Sequence, residues 1–544
     1  MGASFVAAGC KPLSDYGHIT GAFTGMDAAR GHHLRDAFKA GSAWPAPSRI
    51  VRIGVVIAGG GVAGLAAARA LGQQGVDDFA LLELEDSVGG NSRGAVVGGL
   101  PCPMGAHYLP VPGDHAPEVQ DLLEELGVRQ RVAGRWQYDE AVLCHSPQER
   151  LFFNGQWQEG LLPVQDVEPG TLAQYRRFSA LVESARAESP WRLPMQNRAP
   201  TPSQRTLATL TFQAYLDQNG LDDARLRWYL DYCCRDDYGA GLATVSAWAG
   251  MHYFASRHGF FAPGVDLSDS TEREGVLTWP QGNAWLAAQL ALPLQGRMYT
   301  GRSVVRIVTT RQGVEVDAWD HAAQKLERWV ASRVVVALPI FIAARVLQNP
   351  PDFLSQAALA TTYAPWLVAN LEVTQPLQDR AGAAPAWDNV VYGANGLGYV
   401  DAMHQSLKPV PGPTVLTHYR ALGQGPAGVR LASRRALLDQ PWTTWRDTIL
   451  AEFSVAHPDL AAKTRHIALT RYGHAMAIPL PQENGQIGPQ SSWNVREQLS
   501  KKERYPQRPV PVWGRLSFAH SDWAGYSVFE EAFALGHAAG GLPL

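Results

Sequence analysis

The apolar positions change their spacing three times near the start of the chain. Residues 53–58 ("IGVVIA") form a short run that is mostly β-branched. Glycines interrupt it at 59–61, and an Ala-rich stretch of good helix formers follows from Val62 to Leu71. A second apolar run, "FALLELE", begins at Phe79. This order predicts strand, glycine turn, helix, strand. The span Ile53–Leu71 approaches membrane-crossing length, but three successive glycines, the β-branched start and Arg69 argue against that reading. Further along, "TLATLTFQAYLDQNG" (206–220) and "DARLRWYLDYCCRDDYG" (223–239) carry helical apolar spacing. "GRSVVRIVTTRQGVEVDAW" (301–319) and "RVVVALP" (333–339) read as alternating strands. Residues 11–50 mix Gly, His, Ser and Pro without a period and read as a tether or a surface-hugging arm.

Composition narrows the class. With 544 residues the chain is long enough for two or more sizeable cores. Apolar and charged fractions are those of a globular protein, and a net charge of −3 with both signs interspersed gives no sign of a nucleic-acid partner. Trp is frequent, which suits aromatic-lined pockets or simply core filling. Among five cysteines there is no CxxC pair and no zinc spacing, so no metal site is expected, and Cys233–Cys234 read better as buried thiols than as a redox pair. "MGASFVAAGCKP" resembles the end of a bacterial lipoprotein signal with Cys10 as the lipidated residue, but it has no charged n-region and its apolar run is short. Two readings stay open: a lipid anchor at Cys10 with a cell-envelope or periplasmic location, or an irregular leader on a cytoplasmic protein.

The glycines carry the first chemistry. Their spacing is Gly59-x-Gly61-x-x-Gly64, with Ala63 inside the motif. Gly59 permits a tight turn, Gly61 lets backbone approach a pyrophosphate, and Gly64 allows close helix–strand packing. The phosphates would sit at the helix start, where free N–H groups and the helix dipole favour an anion. Glu83 ends the second strand at the distance where a carboxylate accepts from ribose hydroxyls, which disfavours a 2′-phosphate. A second glycine pair, Gly89-Gly90, follows in "DSVGGNSR" and is foreign to the simple NAD fingerprint.

Together "GGGVAG" and "LLELEDSVGGNSR" resemble the FAD signature of the flavin-containing amine oxidase family, which includes polyamine oxidases and is related to carotenoid desaturases. The resemblance implies an α/β fold: a discontinuous Rossmann-like FAD-binding domain (51–115, 275–345, 505–544) and an α+β substrate-binding domain (116–274, 346–504) after an N-terminal segment (1–50). It implies FAD contacts from Gly59, Gly61, Ala63, Gly64, Glu83, Gly89, Gly90, Asn91, Ser92 and Arg93. "PMGAHYLP" resembles the segment beside the isoalloxazine, so Gly105, Ala106 and His107 would line the flavin. "TWPQGNAWLAAQL" fits the entry to the second FAD piece, and Val304 matches a valine whose backbone brackets the adenine. In "GRLSFAHSDWAGYSVFEEAFALGHAAG", Asp522 or Ser521 would stand near the ribityl phosphate, and Phe529 would give the amide nearest flavin C2=O. Independently of any resemblance, Ser527 and Glu530 have capping-box spacing and predict a helix start.

The chain departs from the family in three places. Pro365 or Trp366 stands where many members carry a lysine that holds a water against flavin N5, which would make a poorer oxidase and a better dehydrogenase. Of the two aromatic residues that orient the amine, the first is replaced by His474; the second is Tyr526, two residues early by alignment. A hydrogen-bonded core histidine is the competing reading of His474. Asn91 and Glu85 replace arginines beside the phosphates, so FAD is held less tightly or Arg93 takes their place. Gly473 occupies the flavin-linking cysteine's position, implying non-covalent FAD. Asp236 and Asp237 are candidates for steering a cationic substrate; the plainer reading is a solvated turn at a helix end. The expected activity is oxidation of a small-molecule amine, polyamines included, by hydride transfer to flavin N5. The alternatives are desaturation of a lipophilic substrate and a non-catalytic flavin-binding subunit.

Overall fold

The computed structural model describes residues 16–41, 44–195, 200–264, 275–489 and 510–543; Cys10 and the signal-like stretch around it lie outside them. One sheet has the strand order Met298–Tyr299, Phe79–Leu82, Arg49–Ala58, Lys325–Val336, Val314–Asp320, Arg302–Thr309. Leu516–Phe518 adds in parallel along Val334–Val336, the end of the strand that Val314–Asp320 does not reach. The inner half of Arg49–Ala58 has parallel neighbours on both sides, and Val55–Ala58 are fully buried. That environment explains a continuous apolar run in place of alternation.

The Ala-rich stretch forms the helix Val62–Gln73, and no helix among the described residues is long and apolar enough to cross a membrane. Its small side chains admit a second helix, Phe529–Gly540, at close range. A Cβ on Gly536 would collide with the Ala63 carbonyl, and one on Gly540 with the Ala67 carbonyl. The two glycines thus pack the second half of the last helix against the first turns of the first.

A second sheet of eight strands runs Thr20–Phe23, Thr464–Ala477, Tyr363–Val373, Thr414–Ala421, Tyr399–Asp401, Asp388–Val391, Glu149–Phe153, Gln156–Glu159. Tyr363–Val373 is buried along its whole length. Helices Pro169–Glu188 and Ala224–Tyr238 pack with it around an aromatic core. Trp157, Trp329 and Trp523 are completely buried, so much of the tryptophan content is core.

The N-terminal region differs from the expectation of an irregular arm. Thr20–Phe23 pairs in parallel with His466–Leu469, and Asp27 caps a helix, Ala28–Lys39. The strand's partner lies more than 400 residues away, and the helix buries Leu34 alone among its side chains, so neither left a local period.

Gly536→Val forces a side chain into the Ala63 backbone. It is expected to cost about 1–3 kcal/mol by overpacking, read as a lower thermal unfolding midpoint.

Candidate active site

Three glycine contacts shape a cradle at the first strand–helix junction. Gly59 adopts φ +105°, and a Cβ there would collide with the Ala337 carbonyl; a Cβ on Gly64 would collide with the Gly59 carbonyl. Gly61 is the N-cap and offers no side chain, so the amides of Val62, Ala63 and Gly64 precede the first intrahelical bond, Leu65 N–H to the Gly61 carbonyl. The second glycine loop lies directly on the first: Gly89 N–H donates to the Gly60 carbonyl at 2.8 Å, and a Cβ on Gly90 would come within 3.1 Å of the Gly61 Cα. Glu83 is buried, and its two oxygens accept from Gly60 N–H (2.7 Å) and Glu85 N–H (2.9 Å). Burial raises its pKa against those bonds. Val304 is buried and pairs with Ala318, and the register shifts immediately after it, a bulge that re-aims the backbone.

Asn91 donates to the Ala475 carbonyl (2.7 Å) and Ser92 is buried. Arg93 is buried too; it donates to the Gly25 carbonyl (3.0 Å) and reaches Met26 Sδ (2.9 Å), while its Nε has no protein partner. Open helix amides, a glycine-lined approach, a buried carboxylate at the end of the second strand and an unpartnered guanidinium nitrogen are a donor set that fits the phosphates and ribose of a dinucleotide.

The stretch 103–108 is fixed carbonyl by carbonyl. Asn370 Nδ2 donates to Pro103 (3.0 Å), Tyr472 OH to Met104 (2.7 Å) and Tyr419 OH to Gly105 (3.0 Å). Asn283 N–H donates to Ala106 (3.1 Å), Thr278 OH to His107 (3.1 Å) and Asn283 Nδ2 to Tyr108 (2.8 Å). Met104 and Ala106 N–H donate in turn to Arg93 and Asn91, and a Cβ on Gly105 would collide with the Asn91 carbonyl. His107 stacks on Tyr419 (4.4 Å between centroids) and meets Tyr108 and Trp387 at 5.0 and 5.4 Å. Burial pushes its pKa down to about 3, so it is neutral.

The last helix starts differently from the capping box. Its N-cap is Val528, without a side-chain bond; Ser527 Oγ instead accepts from Ala477 N–H (3.1 Å), and Glu530 pairs with Arg257 (3.3 Å), which also grips Asp237 at 3.0 and 3.1 Å. A tertiary ion pair has outcompeted the local cap. No side chain caps the helix from Val528, and the Glu530 carboxylate accepts from its own backbone N–H. Asp522 is buried and engaged by the protein: it accepts from Ile340 N–H (3.0 Å) and Tyr363 OH (2.6 Å) beside His520. Burial pushes its pKa up, and His520 with those donors outweighs it, for a net lowering.

The two residues assigned to the cage do not share one. His474 lies against Phe341 (4.7 Å) and Tyr363 (5.8 Å), still exposed, with its pKa pushed down to about 4 by burial of the ring and then by Arg434 and Arg345. Tyr526 is 1% exposed among Tyr238, Trp248 and His252, and its OH donates to Glu531 (2.6 Å). A side chain so enclosed cannot present a face to a ligand, because residues 525–528 turn it into the core.

The aromatic wall beside the pinned segment is His107, Tyr108, Trp387 and Tyr419, of which the sequence reading had only His107. Carboxylates stand near it: Asp236 acts on Tyr108 and Tyr419, and Asp388 on Tyr419. Asp388 and Glu149 are register partners on adjacent parallel strands, so both project from one face. Tyr232 OH reaches Asp388 (3.3 Å), and Asp236 lies one turn further along the same helix. Asp236 is not at a solvated turn. It is half-buried near the end of the helix Ala224–Tyr238, and burial and then Asp237 push its pKa up to about 7. Burial, then Asp236 and Glu149, also raise Asp388. Trp387, Tyr419 and Asp388 lacked any motif, and Tyr108 stood inside "PMGAHYLP" with no role assigned to it; alternation in "AWDNVV" marks a strand and nothing more.

Fold and site together define a flavin-dependent oxidoreductase. A sequence model of the flavin-containing amine oxidoreductases matches residues 62–424, two thirds of the chain. The chain belongs to that family, with FAD as its cofactor. Among solved structures it is similar to a putrescine oxidase bound to putrescine (18% identity, TM-score 0.61, 90% of this chain and 98% of the other). It is also similar to the cyclohexylamine oxidase of Brevibacterium oxydans IH-35A (17%, 0.59, 90% and 98%) and to a fatty acid isomerase of P. acnes (14%, 0.56, 89% and 97%). No curated protein matches it. At such identities the structures attest the fold.

Two outcomes are expected. Tyr419→Phe and Tyr472→Phe each strand a buried carbonyl, at a cost of about 1–3 kcal/mol, measured by chemical denaturation. Asp236 and Glu531 both have folded pKa values of about 7, burial being the first cause of each. The unfolded carboxyls titrate near about 4. The folded state therefore holds extra protons between those values, and ligand-free stability should fall as pH rises from about 4 through 7. Asp236→Asn should shrink that fall in denaturation curves at pH 5.5 and 8.

Proposed function

We propose that the protein oxidises a primary or secondary amine bearing a second cationic group, such as a diamine or polyamine. The observation that carries this is the clustering of Asp236, Asp388 and Glu149, close enough that Asp236 and Glu149 both raise Asp388 and that Asp236 and Asp388 both act on Tyr419 of the aromatic wall. A cation bound among these carboxylates favours their ionised forms. Bound FAD supplies the two-electron acceptor for the hydride leaving the carbon next to nitrogen.

The chain's own residues do the remainder. The cradle at Gly59–Gly64, the loop Gly89–Arg93 and the first turn of the helix Phe529–Gly540 would hold the cofactor, with the pinned stretch Gly105–His107 lining its ring. Ionised Asp236 and Asp388 take the distal ammonium. The aromatic wall excludes water, and a neutral His107 adds no positive charge against the substrate. Desolvation there favours the uncharged form of the reacting nitrogen, whose lone pair forms the C=N bond as the C–H bond breaks.

The lysine position is filled by Pro365 and Trp366 on a strand that is buried throughout. This supports slow reoxidation by oxygen and use of another acceptor. Gly473 offers no thiol, which supports FAD held without a covalent bond, released to the supernatant on acid precipitation. The lipid anchor at Cys10 remains a proposal, tested by palmitate incorporation that Cys10→Ser should abolish.

The test is anaerobic mixing with matched diamines and monoamines, following flavin bleaching, then admission of air. Diamines should bleach the flavin at lower concentration than monoamines. Asp236→Asn should lower kcat/KM for a diamine about 10- to 100-fold, as for loss of one buried charge pair, with little change for a monoamine. The diamine preference should grow as pH rises through 7, since Asp236 binds a cation only when ionised. Bleaching by lipophilic substrates and by no amine would overturn the reading.

A further inference from the structure

The segment Thr20–Leu34 touches both walls of the cofactor crevice from outside. At one end its strand pairs with His466–Leu469, Thr24 N–H donates to the Leu469 carbonyl (2.7 Å), and Arg471 lies over the Phe23 ring at 3.7 Å. That same long strand carries Gly473–Ala475, and the Ala475 carbonyl receives Asn91. In the middle, Gly25 adopts φ +87° against the Met104 side chain, next to the pinned Gly105. Its carbonyl and Met26 Sδ take the buried Arg93. Asp27 N–H donates to both oxygens of Glu85 (3.2 and 3.3 Å), whose carboxylate lies 3.5 Å from Arg93. Arg30 then donates to the Leu84 carbonyl (3.1 Å) and Asp86 (2.7 Å). At the far end His33 packs between Trp44 and Trp319 of the nucleotide-binding unit (5.4 and 5.5 Å).

We infer that residues 20–34 are a clasp that holds the second phosphate loop, Leu84–Arg93, closed over FAD and sets the rate at which the cofactor leaves. The loop's inner side rests on the first glycine turn through Gly89, where phosphates are to lie. Its outer side carries the polar groups the clasp satisfies: the Leu84 carbonyl, the Glu85 carboxylate and the Arg93 guanidinium. For FAD to pass, the loop must part from the strand that carries Ala475, and the clasp bonds both. Opening it strips partners from two charged groups, Glu85 and Arg93, each less than a tenth exposed. Leaving buried charges unpaired is costly. The family positions where arginines hold the phosphates are Asn91 and Glu85 here, so retention is transferred to the segment behind them.

The test uses the full-length holoenzyme and reads the cofactor instead of turnover. FAD release is followed by recovery of flavin fluorescence after dilution, with Arg30→Gln and Phe23→Ala beside the parent. Each variant loses contacts on one side of the clasp and should release FAD about tenfold faster, the equivalent of one or two hydrogen bonds. The thermal midpoint of the apoprotein should move little. Release at the parental rate in both variants overturns the proposal, as does a fall in apoprotein stability that accounts for the whole change. Hydrogen exchange of the unmodified protein gives a second reading that needs no variant. FAD should slow exchange in residues 20–34 together with 84–93; protection of 84–93 alone overturns the clasp. None of these readouts depends on which substrate is oxidised.

Discussion

Six successive carbonyls, from Pro103 to Tyr108, each accept from a different donor group, and the arrangement of the site depends on that row. Asn370, Tyr419 and Tyr472 come from three adjacent strands of the second sheet, and Thr278 and Asn283 from the turn that leads into the helix Ala284–Ala291. The loop Asn91–Arg93 takes the alternate amides. A buried backbone must be satisfied somewhere. Here it is satisfied by both units at once, so the stretch is the joint between them and cannot shift without breaking bonds on each side. That rigidity is what a hydride-transfer surface needs, since errors near 1 Å cost rate steeply.

The same economy governs the charges. Arg257 joins Asp237 on the substrate side to Glu530 on the last helix, and Arg93 joins Glu85 to the N-terminal segment. Each is a buried pair whose value lies in fixing one arrangement, because desolvation offsets much of its attraction. Asp236 and Asp388 are the contrast. Burial raises both; Asp237 adds to it at Asp236, and Asp236 and Glu149 add to it at Asp388, a perturbation that supports the cation-binding role proposed for them.

Legibility in the sequence followed the range of the interaction. Gly59, Gly64, Gly89 and Gly90 were readable because their constraint is local: a positive φ or a carbonyl one turn away admits no side chain. Glu83 was readable by its distance from them. The wall was legible only in part: His107 and its neighbour Tyr108 lie in a quoted segment, whereas Trp387 and Tyr419 come from two distant segments and are ordinary core aromatics in either. Asp236 and Asp237 show the limit most clearly. A pair of acids at the end of a helix is usually solvated, and what buries this one is Arg257 and the strand Asp388–Val391, which a linear reading does not place beside it. Ser527–Glu530 failed for the converse reason: the local motif was real, and a stronger distant partner took each residue.

The first turn of the last helix shows how these constraints meet at the flavin. A free helix N-terminus carries a positive partial charge that stabilises an anion. Glu530 and Glu531 stand in that turn, and two ionised carboxylates would cancel the effect. Arg257 compensates one. Glu531 accepts from Tyr526 OH and Met195 N–H, and burial holds its pKa at about 7, so near neutrality it is partly protonated and contributes less negative charge. On the reading proposed above, the first turn of this helix would supply amides to the cofactor while Asp236 and Asp388 would take the cation. The site would thereby separate two demands that oppose each other, donors at the helix end and carboxylates near the aromatic wall. Tyr526 belongs to the first of these as the residue that holds Glu531, which accounts for its place in the core.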